Sequence, residues 1–424
     1  MPGGRAQARV GVVTSRLVVV GASLAGLRAV QAARRAGHEG PIILIGSEEH
    51  LPYDRPPLSK AYLGATGTPD HFVTEQDLAA LEVDLRLGCT AESLDPGRKV
   101  VVAAGVDIAY DSLVVATGAS PRSAPGIPDL DGIVTLRTLD DANDIRRRLR
   151  AGIEVVVVGA GFIGSEIASS VAGRGIGVTL LDAAPVPLVR AVGETVGAAL
   201  ARLHGRNGVR LIQGARIVEV GSGRGRVTGV MLATGEWIPA DLVVVGVGAA
   251  PATAWLGGSG VGLHPADGGL LCDEYLETSV ADVYGAGDVT HWPNATFDVT
   301  MRLENWTNAA DQGGRAGANA VVSRQARTAY STVPYFWSDW YGSRIQFVGY
   351  AAADDVDFVE GGPDEGRFVA FYTSGERLVG VATLNQPRKI MKFRRLIRDR
   401  ATVTDAKALL ASLARPAAGL RAGA

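Results

Sequence analysis

The stretch Val155-Val-Val-Val-Gly-Ala-Gly-Phe-Ile-Gly-Ser-Glu166 decides the fold. Its four valines read as a buried strand. Gly159, Gly161 and Gly164 then complete a G-x-G-x-x-G turn that opens a helix. A further apolar strand, Val178-Thr-Leu-Leu-Asp182, ends in an acid. This order of strand, glycine turn, helix and acid-terminated strand is the βαβ unit that lays a dinucleotide pyrophosphate on a helix N-terminus.

A second copy lies upstream. Val18-Val-Val-Gly-Ala-Ser-Leu-Ala-Gly-Leu27 has the same plan, and Ile42-Ile-Leu-Ile-Gly-Ser-Glu48 supplies its acid-terminated strand. Gly21 and Gly26 stand in register with Gly159 and Gly164, but Ser23 replaces the second glycine. That glycine normally lets the backbone approach the pyrophosphate. A serine hydroxyl there can donate to a phosphate oxygen, or it can simply cap the helix. Glu48 suits an adenosine ribose hydroxyl. Each copy later passes through a hairpin-like region into one more apolar strand, Tyr110 to Gly118 and Ala240 to Gly248. One glycine motif alone is weak evidence. Two, each in strand–helix context, predict two dinucleotide sites and an α/β fold with two Rossmann-like domains.

The chain has 424 residues, 47% hydrophobic and 20% charged, which is ordinary globular composition with room for two or three domains. A net charge of −2 gives no general attraction for nucleic acid or an anionic membrane. No apolar run reaches the ~18 residues of a membrane span. Met1 to Ser15 has no apolar core, so it reads as a loose arm rather than a secretory signal, and the C-terminal tail reads as equally loose. Cys89 and Cys272 have no metal or redox spacing and read as small buried residues, which fits a cytoplasmic protein.

The surroundings of the two units differ. The first is followed by Tyr53-Asp-Arg-Pro-Pro-Leu-Ser-Lys60 and has a distant companion, Tyr284-Gly-Ala-Gly-Asp288. A ligand contacted from three chain segments suits a permanently held cofactor such as FAD. The second unit is complete in itself, which suits NAD(P)H. With Ala116-Thr-Gly118, these segments resemble the pyridine-nucleotide flavin reductases of the glutathione-reductase fold. The Arg-Pro-Pro-Leu-Ser-Lys run and Val333-Pro-Tyr-Phe-Trp-Ser-Asp339 are similar to the ferredoxin reductases that serve oxygenases. The resemblance spans roughly Arg16 to Arg400 and implies an FAD domain at 1–118 and 248–330, an NAD domain at 119–247, and a C-terminal α/β domain with a flexible tail at 331–424.

The resemblance also implies roles. Arg55 and Lys60 would contact FAD, with Lys60 near the flavin ring and Glu166 facing its ammonium; these two would carry the chemistry. Taken alone, Lys60 reads as a solvated lysine and Glu166 as a first-turn glutamate. Asp288 would bind the ribityl side of FAD. Trp306 would lie against the flavin, or serve as a domain-interface tryptophan. The expected cofactor-binding set is Gly21, Ser23, Leu24, Ala25, Gly26, Glu48, Arg55, Lys60, Ala91, Ala116, Thr117, Gly118, Asp288, Trp306, Gly159, Gly161, Phe162, Ile163, Gly164, Asp182 and Gly248. At Asp182 a carboxylate accepts from a ribose 2′-OH and repels a 2′-phosphate, favouring NADH, although Arg190 lies eight residues on. Ser-Asp-Trp-Tyr at 338–341 departs from the family pattern, where glutamine often precedes the tyrosine, and no role for Trp340 follows from sequence.

No cysteine pair occupies Lys60-Ala-Tyr-Leu-Gly-Ala-Thr-Gly, where disulfide reductases of this fold carry a redox dithiol. Electrons arriving from NADH must therefore leave the flavin another way, and an iron–sulfur ferredoxin is the natural acceptor. The alternatives are a rubredoxin or small-molecule (quinone or radical) reductase, or a redox-sensing flavoprotein of the apoptosis-inducing-factor type. Near the C-terminus, Arg388 to Arg400 carries seven basic residues, with Ile390, Phe393 and Ile397 at helical spacing. It reads either as a solvated helix face or as a surface where Lys389, Lys392 and Arg302 steer ferredoxin.

Overall fold

The computed structural model describes residues 15–64 and 69–414. Apart from Ser15 and Ala414, the two arms expected to be loose lie outside the described residues. In chain order, the first stretch supplies strands β1 (Leu17–Val20), β2 (Ile42–Ile45), β3 (Val83–Arg86) and β4 (Ser112–Val115). The middle supplies β5 (Ile133–Thr135), β6 (Glu154–Val158), β7 (Gly177–Asp182), β8 (Arg210–Gln213) and β9 (Leu242–Val245). Then come β10 (Val283–Gly285) and a last group, β11 (Tyr335–Trp340), β12 (Ser343–Gly349), β13 (Asp355–Gly362), β14 (Arg367–Ser374) and β15 (Arg377–Leu384).

Two parallel sheets follow from the two glycine-turn units. The first has the order β10-β4-β1-β2-β3 and the second β8-β7-β6-β9-β5. Leu17 to Val19 and Val155 to Val157 are at most 1% exposed, so both faces of each central strand are covered, as continuous apolar runs require. β10, the strand before Gly287-Asp288, joins the first sheet beside β4, with Tyr284 paired to Val114. The hairpin-like regions are three-stranded antiparallel sheets, one built on Ala91–Asp95 and one on Ile217–Gly223.

Helix α1 (Leu24–Arg35) follows the first glycine turn, and α2 (Phe162–Ala172) follows the second. Helix α3 (Val189–Arg206) flanks the second sheet, and α4 (Trp306–Asn319) packs on α1. That packing is close: a Cβ on Gly313 would meet the Ala25 carbonyl oxygen at 2.2 Å. The C-terminal sheet, order β11-β12-β15-β14-β13, is antiparallel and is followed by α5 (Pro387–Arg398) and α6 (Val403–Ala414). In α5, Ile390, Phe393 and Ile397 are all buried against this sheet, as their spacing predicts. Among the described residues, no helix is long and apolar enough to cross a membrane.

Candidate active site

The two glycine turns face one continuous cleft of about 1980 Å³. Both turns have the same construction. Gly21 and Gly159 adopt φ of 118° and 102°, where a side chain would be strained, and a Cβ on either would meet a carbonyl oxygen of the neighbouring strand's end at 2.1 or 2.3 Å. Gly26 and Gly164 sit one helical turn on and do not line the cleft. A Cβ there would strike the carbonyl oxygen of Gly21 or Gly159, so these two let helix and strand approach rather than touch a ligand. At Gly161 the space is open. Helices α1 and α2 start at Ser23 and Gly161 with no side-chain cap and no acid in the first turn. Two sets of free amides and two positive helix ends are thus presented to the cleft.

All the other residues expected to bind cofactor, and Glu166 with them, line this cleft. Ser23 accepts from Arg55 Nε at 3.2 Å, so its own hydroxyl proton stays available to a phosphate oxygen. Arg55 is fixed by the Glu48 carboxylate, the Tyr53 hydroxyl (3.1 Å) and the Arg137 carbonyl (2.9 Å). Glu48 also accepts from Tyr53 at 2.6 Å. It is therefore an internal partner of Arg55 and has only remaining lone pairs to offer a ribose hydroxyl. Asp288 faces Arg137 at 3.4 Å, and Trp306 donates its indole N–H to Asp54 at 2.8 Å. Burial pushes the Asp54 carboxyl up, while the Trp306 bond opposes that shift.

The same cleft holds a largely buried ion pair. Lys60 Nζ stands 2.8 Å from Glu166 Oε2, with side chains 18% and 2% exposed. Lys60 ends the Pro-Pro-Leu-Ser turn and donates to the Pro56 carbonyl at 3.0 Å. Glu166 points inward from the second turn of α2, where it also accepts from the hydroxyls of Ser59 and Ser338. A half-broken pair of this kind costs about 3–5 kcal/mol, so both charges are held as a unit.

Several expectations need correction. Arg302 does line the cleft, but it is 13% exposed and spent on Asp267 (2.8 Å), Glu304 (2.8 Å) and the Asp288 carbonyl (2.8 Å). Lys389 is 15% exposed and locked to Glu360 at 2.6 Å. Of the three expected steering cations only Lys392 is exposed; the other two are part-buried and each is paired with acids of the same chain. Cys89 and Cys272 are unpaired and half-buried rather than buried, and Cys89 lies in the cleft wall. Although the Cys272 residue is half-buried, its thiol itself is enclosed, and that desolvation pushes it well up and leaves it a poor nucleophile. His264 and His291 meet Asp267 at 3.2 and 2.9 Å, but their rings stack 10° apart at 4.1 Å. Lone pairs in such planes run parallel rather than converging on one ion.

Sequence reasoning missed Arg137, Ser59, Ser338, Phe336 and Trp337. Phe336 packs on Phe162 at 4.8 Å and Trp337 on Trp306 at 6.1 Å, bringing β11 of the C-terminal sheet to the cleft. The Phe-Trp-Ser run was visible in the family pattern, but nothing in it assigns a contact.

A cleft with two uncapped helix ends and two glycine turns is the pattern of a dinucleotide-to-dinucleotide enzyme. The family described as pyridine nucleotide-disulphide oxidoreductase matches residues 15–313, and a Reductase C-terminal family matches residues 335–421. The chain belongs to the pyridine nucleotide-disulphide oxidoreductase family. It is similar to rhodocoxin reductase of Rhodococcus erythropolis, 33% identical over 92% of this chain and 91% of that one. It is also similar to the ferredoxin–NAD(+) reductase component of the anthranilate 1,2-dioxygenase system of Burkholderia cepacia, 36% identical over 90% of this chain and 93% of that one. Among solved structures, the covalent putidaredoxin reductase–putidaredoxin complex matches with a TM-score of 0.88 at 30% identity, over 94% of this chain and 98% of that one. The oxidoreductases of this family use FAD and NAD(P)H. The residues present fit both: each uncapped helix end suits a pyrophosphate, and the open face of Gly161 leaves the backbone bare for close approach.

Proposed function

We propose that this protein passes electrons from NADH through FAD to a small iron–sulfur ferredoxin that serves an oxygenase. The carrying observation is the largely buried Lys60–Glu166 pair in the cleft that both glycine turns face, in a chain with a C-terminal reductase domain and no cysteine pair in the Lys60 segment. The similar proteins named above are reductases of ferredoxin-type partners.

The chemistry FAD supplies when bound is acceptance of two electrons from a nicotinamide and their release one at a time. The chain's own groups do the rest. Ser23, the amides of Leu24 and Ala25, and Arg55 would hold the FAD pyrophosphate, with Asp288 and Thr117 available to its ribityl side. Lys60 would bring a positive charge to the flavin edge, with Glu166 compensating it. Gly161, Phe162 and Ile163, at the start of α2, would hold the NADH pyrophosphate, and Asp182 would accept from the adenosine ribose. Trp306, Phe336 and Trp337 close the cleft on the side of the C-terminal sheet.

Nucleotide choice is read from Asp182, which favours NADH. Cytoplasmic location is read from two unpaired cysteines, which fit a reducing compartment. The test is to mix the purified yellow protein with NADH and a panel of ferredoxins and follow cytochrome c reduction. Ferredoxin-dependent turnover is the expected result. Reduction of quinones with no response to any ferredoxin would establish the small-molecule reading instead.

A further inference from the structure

Glu166 is held from both sides, and only one side belongs to Lys60. Its Oε1 accepts from the Ser338 hydroxyl, which comes from the C-terminal sheet. Ser338 is fully buried, and its oxygen in turn accepts the indole N–H of Trp340 at 2.8 Å. A serine hydroxyl has one proton to give and lone pairs to accept with. With Trp340 donating into the oxygen, the proton is left for Glu166. Trp340 thus sets the direction of the bond that fixes the carboxylate.

Trp340 is itself clamped. It is 1% exposed and stacks on the His204 imidazole at 5.3 Å and 29°. His204, from α3, is fully buried and uses both ring nitrogens, with the Tyr341 hydroxyl at 2.8 Å and the Ser165 hydroxyl at 3.3 Å. The Tyr341 amide donates to Ser169 Oγ at 2.7 Å. Helices α2 and α3 therefore grip the β11 turn on both sides of the indole. This accounts for the Ser-Asp-Trp-Tyr departure noted in the sequence: an N–H donor to Ser338 combined with a flat aromatic face for His204 calls for tryptophan.

We propose that Ser338 is a positioning residue for Glu166, and that Trp340, clamped by His204, directs the Ser338 hydroxyl toward it. The inference rests on the reading of Lys60 and Glu166 as the pair beside the flavin. Ser338 and Trp340 act through Glu166 and touch no reacting atom.

The test uses the FAD-loaded full chain and two readouts: the rate constant for flavin reduction by NADH, and the midpoint potential of the bound flavin. Ser338→Ala should slow reduction about tenfold, the loss of one charge-assisted hydrogen bond. Trp340→Phe, which keeps the aromatic volume and removes the N–H, should slow it in the same direction. In the Ser338→Ala background Trp340→Phe should add nothing to the rate and shift the potential no further, because the two residues act in series. Ser338→Thr should retain both properties. Multiplying losses, or an altered melting temperature with rate and potential unchanged, would make the network structural and overturn the proposal. Lys60→Met separates the two levels. If it moves rate and potential while Ser338→Ala does not, the positioning role alone is wrong. If Lys60→Met moves neither, the reading of the ion pair is wrong and the proposal falls with it.

Discussion

Asp182 Oδ2 accepts the amide of Ala160 at 2.7 Å, so the acid that ends β7 closes the glycine turn that begins α2. Its Oδ1 accepts the Ala184 amide at 2.8 Å. The carboxylate is thus fixed in the cleft wall, where the proposed NADH reading puts the adenosine ribose. Wild-type kcat/KM should favour NADH over NADPH about tenfold, near the 1.4 kcal/mol that one hydrogen bond plus phosphate repulsion supplies. Asp182→Ala should narrow the gap, since Arg190 and Arg216 also line that end of the cleft. A wild-type preference for NADPH would refute the assignment.

Ser23→Gly should keep its FAD. The hydroxyl caps no helix amide, and Arg55 retains Glu48, Tyr53 and Arg137 without it. Losing one part-buried hydrogen bond, at a position where glycine leaves the backbone bare for the phosphate, should weaken FAD less than about tenfold. Equilibrium dialysis of the variant checks this, and purification as colourless apoprotein would show the hydroxyl to be required.

His204 should make stability depend on pH. Burial lowers its pKa from 6.5 to about 4, so the unfolded chain binds the extra proton more readily. The contribution is fully present above the unfolded value and fades as pH falls from about 6.5 to about 4, by up to roughly 3 kcal/mol. Denaturant unfolding of wild type and His204→Gln across that range should show the steeper slope in the wild type. Parallel curves would mean that His204 is not the group responsible.

Ferredoxin steering should fall to the exposed cations of α5. Arg388→Glu with Lys392→Glu should lower kcat/KM for ferredoxin and spare ferricyanide reduction. The loss should shrink as salt shortens the Debye length from ~10 to ~3 Å. Lys389→Glu should instead repel Glu360 and lower the melting temperature, which makes it a control for the fold. Equal loss with both acceptors in the Arg388/Lys392 variant would remove the docking interpretation.

The parallel sheets were legible because valine runs, glycine turns and terminal acids are local signals. The amphipathic face of α5 was legible for the same reason. The link from His204 through Trp340 and Ser338 to Glu166 was not, because it joins three segments far apart in sequence whose residue types have ordinary local readings. Arg302 and Lys389 show the opposite failure. Lys389 lies in a basic run and Arg302 is a lone arginine beside Glu304, and only the folded chain reveals that Glu360 and Asp267 have already claimed them. Glu48 lies between these cases: its position at the strand end was readable, but its engagement by Arg55 was not.

The pairing of β10 with β4 carries a consequence for how the molecule is made. β5 to β9 form their sheet from one unbroken stretch, whereas β4 waits for β10, which leaves the ribosome only after that whole stretch. At ~5–20 residues per second the delay is about ten to thirty seconds. Nascent chains therefore spend that interval with the β4 edge unpaired, the state most open to chaperone capture or to edge-to-edge association. The completed β5–β9 sheet shortens the closure that follows, because a folded insert brings its two ends near one another and leaves less entropy to lose. Synthesis order thus makes the second glycine-turn unit the scaffold on which the first is finished.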